Sequence, residues 1–243
     1  MSDYRCATDL EVIEMSICFI RLSVKRLCAL VYASTLALGL GLASPVAAQQ
    51  VTLDRQQALL ALDHADPLRR LEGMVGLANT GGAGDAEALM PRLLDADPSL
   101  RQAAVAIIWR LWGRSGDAAI DALYQQGMGL MQSGNLPKAV AVFSDIISQR
   151  PAFAEAWNKR ATIYYMLDQH DLSIKDCEEV LKRVPNHFGA LSGYAQMLAE
   201  KDQPEQALEL LERAYRVNPN TSSAEPMIDG LRRRIEAKRK AST

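Results

Sequence analysis

Histidine and cysteine, the side chains that most often bind metals or form disulfides, are scarce in this chain of 243 residues. It has three histidines and four cysteines. The histidines at positions 64, 170 and 187 lie far apart, and no HxxxH or HExxH pairing occurs. Metal centres need such clusters of ligands at workable spacing. The sequence therefore predicts no metal site, no bound cofactor and no catalytic cluster.

The chain also lacks an excess of charge of either sign. Lysine and arginine number 27 and aspartate and glutamate 29, which gives a net charge of -2. Domains that bind nucleic acid usually carry a basic surplus. We therefore expect a protein or a peptide as the partner, and no nucleic acid. The aromatic fraction is low, at 6%.

One apolar stretch stands near the start of the chain. Residues 27–42 carry no charge, follow Lys25 and Arg26, and precede the small residues ASPVAA at 43–48. Glycines and Pro45 interrupt the stretch before it reaches the roughly 20 residues that a spanning helix needs. This pattern is typical of an export signal. We predict a signal peptide over residues 1–48, cleaved after Ala48; an uncleaved membrane anchor is the alternative.

The first residues of this leader do not fit an export signal, because Asp3, Asp9, Glu11 and Glu14 put acidic charge where basic charge is expected. Translation from Met15, or from a codon near Val24, would give a better signal. Cleavage would also remove three cysteines and leave only Cys177, so no intramolecular disulfide is expected.

The second half of the chain repeats with a period of 34 residues. Three prolines mark the period, and several columns of apolar or small residues keep the same offset: Pro151, Pro185 and Pro219; Gly127, Ala161 and Ala195; Ala139, Ser173 and Ala207; Phe143, Cys177 and Leu211. Within each unit the large residues recur at helical intervals. Each unit therefore predicts two amphipathic helices that end before a proline.

This pattern resembles the tetratricopeptide repeat (TPR), with copies at 120–153, 154–187 and 188–221 within a region 118–221. The resemblance implies an all-α fold, a right-handed α-solenoid of helix pairs whose first helices line a concave groove. Residues 222–243 then predict a basic cap helix and tail, with Met227, Leu231 and Ile235 against the last repeat.

Residues 49–117 show a weaker repeat. Asp66-Pro67 and Asp97-Pro98 stand 31 residues apart, as do Arg70 and Arg101. The segment resembles HEAT repeats, and a degenerate helical repeat is the alternative. Helices are predicted near 53–64, 67–79, 85–95 and 98–112. The WxxW at 109–112 followed by the repeats resembles secreted repeat proteins of Gram-negative bacteria, which implies a periplasmic or secreted location.

If the TPR resemblance holds, the groove-facing residues come from the first helix of each repeat. The predicted partner-binding residues share one helical stripe: Asp121, Tyr124, Met128, Met131, Glu155, Asn158, Thr162, Tyr165, Ser192 and Gln196. The Lys/Asn/Arg clamp with which some TPR proteins bind a chaperone carboxylate is absent from the matching positions.

These patterns predict a non-enzymatic adaptor of the bacterial periplasm that holds a peptide or helix of a partner during envelope assembly or maturation. One alternative is a cofactor-dependent enzyme that uses the HEAT-like segment, as in the phycobilin lyases, which carry similar repeats. Another is a structural subunit tethered to the membrane. Membrane contact is expected only through an uncleaved leader or the basic tail, and the oligomeric state stays open.

Overall fold

The computed structural model describes residues 53–242, and within them the chain forms helices and no strands. Eleven α-helices cover this range: α1 Arg55–Ala61, α2 Pro67–Thr80, α3 Ala86–Leu89, α4 Pro98–Trp112, α5 Ala118–Gln132, α6 Leu136–Gln149, α7 Ala154–Met166, α8 His170–Arg183, α9 Phe188–Glu200, α10 Pro204–Val217 and α11 Ala224–Ala241. Residues 53–243 form one compact unit. The all-α prediction is confirmed.

The 31-residue repeat of the N-terminal region (residues 53–113) has a structural basis. Asp66 and Asp97 each cap the following helix by accepting a backbone N–H two residues on. Arg70 donates to the carbonyls of residues 64 and 65, and Arg101 donates to those of residues 95 and 96, which is the same geometry one repeat later. The two arginines thus tie each loop to the helix it precedes.

The predicted helix near 85–95 is broken up in the structure. It consists of a 3₁₀ turn at Ala83–Asp85, the short α3, and a second 3₁₀ turn at Met90–Leu94. Pro91 explains the change, because proline has no N–H for the α-helical ladder and its ring clashes with the preceding turn. Asp95 after this segment pairs with Arg70 of α2, which holds the irregular piece against the N-terminal core.

The 34-residue period is confirmed in the packing of the second half. The column Ala139, Ser173 and Ala207 is buried, and so is the column Phe143, Cys177 and Leu211. Small residues let the two helices of a pair approach closely, and the larger residues fill the space beside them.

The turn inside each helix pair repeats with the same period. Its residues Gly134, Asp168 and Asp202 all have positive φ, at 74°, 57° and 59°. Glycine and aspartate are among the residues that tolerate this left-handed conformation best. The next residue in each case donates its N–H back into the first helix, to the carbonyl of Leu130, Tyr164 or Leu198.

Helix α11 covers the last repeat, as predicted for a cap. Ile228, Leu231 and Ile235 are buried, and Met227 is 37% exposed and borders a small cavity that Leu211 and Ala214 also line. The buried stripe is thus set by Ile228 at spacings of three and four, and Met227 lies at its edge. The predicted leader, residues 1–48, lies outside the described residues, and no helix in the described part of the chain is long and apolar enough to cross a membrane.

Replacing Ala139 by leucine should destabilise the protein by about 1–3 kcal/mol, because a larger side chain at this buried column forces α5 and α6 apart. The matched control is Ala141→Leu, on an exposed position of the same helix. Chemical denaturation measures both. Equal stability of the two variants would contradict the helix-pair packing.

Candidate functional site: the concave face

The first helices of the three repeats, α5, α7 and α9, form the inner layer of the solenoid. Each packs on its own second helix, and α7 also contacts α9 directly. Side chains on the free face of these three helices line the concave surface. All ten residues predicted to bind a partner belong to these helices.

The N-terminal region covers one edge of this concave surface. Trp109 and Trp112 of α4 reach across to the start of α9, where the Trp112 ring stacks on the imidazole of His187 with centroids 3.9 Å apart. Trp109 meets Phe188 edge-on at 5.3 Å. A Cβ added at Gly189 would overlap the Trp109 ring, so glycine is what allows the indole to lie against α9.

Two loops extend the same contact beyond the aromatic residues. Asn220, in the loop after α10, donates to the carbonyl of Leu93 at 2.8 Å and accepts from Arg101 at 3.0 Å. Asn186, in the loop between α8 and α9, donates to Glu87. The N-terminal region is thereby fixed to the repeats by polar contacts as well as by apolar packing.

A buried carboxylate lies beneath the tryptophans. Glu155 of α7 is 1% exposed and forms an ion pair with Lys159 at 3.0 Å. His187, which is fully buried, accepts the Ala190 N–H at Nδ1 and therefore donates from Nε2 to Glu155, at 3.0 Å. The Lys159 ammonium also lies 5.1 Å from the Trp109 ring centroid. We call these residues the junction cluster: Trp109, Trp112, Tyr124, Glu155, Lys159 and His187.

The electrostatics of the cluster favour an ionised carboxylate. Burial by itself raises the pKa of Glu155, but the charge of Lys159 and the hydrogen bond from His187 outweigh it, and the pKa falls from 4.5 to about 2. Burial and the neighbouring Glu155 raise the pKa of the Tyr124 hydroxyl well above its usual value. Tyr124 thus stays protonated and can donate to the carboxylate.

Three of the predicted partner-binding residues therefore lie in the interior. Glu155 is 1% exposed, and Tyr124 and Asn158 are each 6% exposed. Asn158 donates its amide to Glu155 at 3.1 Å. Tyr124 packs against Phe143 and Phe153, and Glu155 lies under His187, on which Trp112 stacks. All three residues lie on the first helices, but the expectation of an exposed contact surface at these positions is wrong.

The rest of the predicted stripe keeps access to solvent. Asp121 is partly exposed and accepts from Ser115 at the edge of α5. Ser192 borders a small cavity of about 40 Å³ between α9, α10 and α11. The remaining residues lie toward the carboxyl ends of α5, α7 and α9, together with Met166, which is 49% exposed. We call this surface the open groove: Met128, Met131, Thr162, Tyr165, Met166 and Gln196.

The polar side chains of the open groove form hydrogen bonds with their neighbours. Thr162 donates to the carbonyl of Asn158 at 3.0 Å. Tyr165 donates to Glu200 at 2.9 Å and accepts from Gln196 at 2.6 Å, and its ring stacks on His170. These contacts join α7 to α9 across the groove.

Sequence reasoning missed the role of α4 in this site. The sequence pattern does not indicate that Trp109 and Trp112 meet His187, a contact in which Trp112 is buried and Trp109 is partly exposed. The available signal was Gly189, a glycine at an otherwise ordinary groove position of a helix.

The described residues hold no cluster of three or more His, Cys, Asp or Glu side chains that could bind a metal. Cys177 is buried, and burial raises the pKa of its thiol to about 12. A thiol in this environment stays protonated and is a poor nucleophile.

Comparison with known proteins agrees with this helix-pair architecture. Two tetratricopeptide repeat family models match residues 121–152 and 153–220. A TPR repeat-containing protein of Rhizobium etli is 30% identical over 145 residues, which is 60% of this chain and 71% of that protein. The fold and the repeats define a helical-repeat protein. Within that class, the chain belongs to the tetratricopeptide repeat family.

Other similar proteins share a smaller part. Hsp70-Hsp90 organizing protein 1 of Glycine max is 25% identical over 122 residues, and the match spans 50% of this chain but only 21% of that protein. Among solved structures, the Sgt2 TPR domain from Aspergillus fumigatus has 20% identity and a TM-score of 0.48, covering 52% of this chain and 85% of that chain. The likeness to the solved domain concerns the fold.

Replacing Gly189 by alanine should destabilise the protein by about 1–3 kcal/mol, because the added methyl group must displace the Trp109 ring. Gly193→Ala is the control, since it lies one turn further along α9 with open space around its Cβ position. It should be neutral or stabilising by up to about 1 kcal/mol through helix propensity. Thermal melts followed by tryptophan fluorescence compare the two. Equal effects would contradict the docking of α4.

The junction cluster should make the free energy of unfolding fall as the pH is lowered into the acid range. Because the folded pKa of Glu155 lies below its unfolded value, its contribution is complete above about pH 4.5 and is lost as the pH falls toward about 2. The difference in unfolding free energy between the protein and Glu155→Gln should therefore shrink by about 2 kcal/mol from about pH 7 to about pH 3.

Urea denaturation at the two pH values measures this change. The matched control is Glu209→Gln, an exposed position on α10. A difference for Glu155→Gln that does not change with pH would show that its carboxylate is not the stabilised group.

Proposed function

We propose that this protein is a non-enzymatic adaptor that holds a segment of a partner protein in its open groove. The observation that supports this function best is the combination of a fixed scaffold with an accessible apolar surface. Met166, on α7, is 49% exposed, and Met128 and Met131, on α5, are partly exposed where they pack against the core of the first repeat. A preformed surface of this kind reduces the entropy cost of binding.

The location proposed for this activity is the bacterial periplasm, in envelope assembly or maturation. The support comes from the leader sequence, with Lys25 and Arg26 before an uncharged stretch and small residues before Ala48.

The ion pairs of the basic tail favour a structural role within the fold over contact with a membrane surface. Arg232 pairs with Glu212 at 2.7 Å, and Lys238 pairs with Asp202 at 2.6 Å. Arg234 also bonds Asp202, at 2.5 Å. These three charges bind the cap helix to the third repeat.

A photo-crosslinking residue placed at Thr162 tests the proposal in cells of the source organism. Thr162 is exposed in the open groove, and Ala141 is exposed on the second helix of the first repeat. We expect a discrete crosslinked protein from position 162 and none from position 141, because only the groove contacts the partner. The crosslinked band is identified by mass spectrometry after purification from the periplasmic fraction.

Crosslinking at 141 but not at 162 would move the binding surface out of the groove, and the same small molecule bound to every preparation would favour an enzyme. The intact mass of the purified protein tests the location: a chain beginning at Gln49 supports export with cleavage, whereas an intact leader found only in the membrane fraction supports the tethered alternative.

A further inference from the structure

None of the six side chains of the open groove is charged. The charged residues predicted on the stripe, Asp121 and Glu155, are bonded to Ser115 and to Lys159 respectively. Glu200 lies at the edge of the groove, where it accepts hydrogen bonds from Tyr165 and Gln196 and is 3.6 Å from His170. A partner that buried charged side chains among the six residues of the open groove would lose their hydration without gaining a matching charge.

The groove also has few hydrogen-bonding groups left for a peptide backbone. Thr162 donates to a carbonyl of its own helix, and the amide of Gln196 donates to both Tyr165 and Glu200. The amide of Asn158, which could have served an extended peptide, is buried against Glu155. These bonds occupy the donors of the groove, so an extended segment would bury C=O groups that find no donor here. A helix satisfies these groups internally.

The apolar side chains suit a helical ligand. Three of the six residues of the open groove are methionines, on α5 and α7. Methionine is unbranched and flexible, so it adapts to the ridges of a docked helix. On α9, Gly193 has no atom within 4 Å of a Cβ position, which leaves room for a helix to approach.

We propose that the open groove binds the uncharged apolar face of an amphipathic helix of the partner protein. This inference rests on the proposed adaptor function and names the class of segment that the adaptor holds. The polar face of the helix points to solvent. Binding is thus driven by apolar burial and depends weakly on salt.

Three synthetic peptides of identical composition, acetylated and amidated at their ends, test this inference with the purified protein. The first places leucines at i, i+3, i+4 and i+7 on one face, with alanine and glutamine elsewhere and two lysines on the opposite face. A single proline lies at its first position, where a helix tolerates it. The second scrambles the order so that the leucines share no face. The third has the order of the first but moves the proline to the centre, which breaks the helix.

Calorimetry or fluorescence anisotropy gives the Kd of each peptide. We expect the first peptide to bind at least about 10-fold more tightly than the other two. Its Kd should change by less than about twofold between about 50 and about 500 mM salt, because no ion pair is made. Met166→Glu should weaken it by about 10-fold or more, whereas Leu68→Glu, at a comparably exposed leucine of α2, should leave it unchanged.

Three results would overturn the inference: equal binding of the three peptides, binding that weakens steeply with salt, or no binding of the first peptide. None of them would reject the adaptor function, which the crosslinking at Thr162 tests separately. A crosslinked partner segment that is extended or charged would retain the adaptor and reject the helix.

Discussion

The packing of two tryptophans against the entry of the third repeat is the contact on which the rest of this structure depends. Trp112 stacks on His187, and Trp109 fills the space that Gly189 leaves open. The ring of His187 is in turn held by Glu155 of the second repeat. One chain of contacts thus links the N-terminal region to two repeats, and residues 53–243 form a single compact unit.

This contact changes what the concave face can do. In an array of three helix pairs, the first helices would offer a continuous inner surface, but α4 covers the part near their amino ends. The buried Glu155, with its pKa lowered to about 2, serves the junction and not a ligand. The remaining surface is short and combines three methionines with three uncharged polar side chains, which is the basis of the proposal that it binds a helix.

The local pattern was sufficient to predict the repeats. The 34-residue period predicts the helices, the buried columns and the closing prolines. It is recognisable because equivalent positions in successive units, such as Phe143, Cys177 and Leu211, hold residues of similar character. The N-terminal repeat was visible for the same reason, in Asp66 and Asp97 with their prolines. The apolar spacing over residues 85–95 favours a helix, and the sequence does not indicate how far Pro91 divides it.

The candidate site could be predicted from the sequence only in part. Stripe positions can be counted from the sequence, and all ten predicted residues lie on the first helices. Tyr124 packs against Phe143 and Phe153 within its own repeat. The burial of Glu155, however, depends on a contact between segments more than 40 residues apart, in which Trp112 stacks on His187. No period encodes that contact, and only Gly189 hints at it. A contact between two segments that do not repeat each other is not predicted by a repeat period.

Native-state hydrogen exchange tests the central claim, that α4 and the repeats unfold as one unit, most directly. The amides of Ile108 to Trp112 in α4 and those of Leu191 to Ala195 in α9 should exchange with the same free energy of opening, within about 1 kcal/mol, and respond alike to denaturant. Opening of α4 at a free energy several kcal/mol lower than that of α9 would contradict the claim, because the tryptophans would then be leaving the concave face while the repeats stay folded.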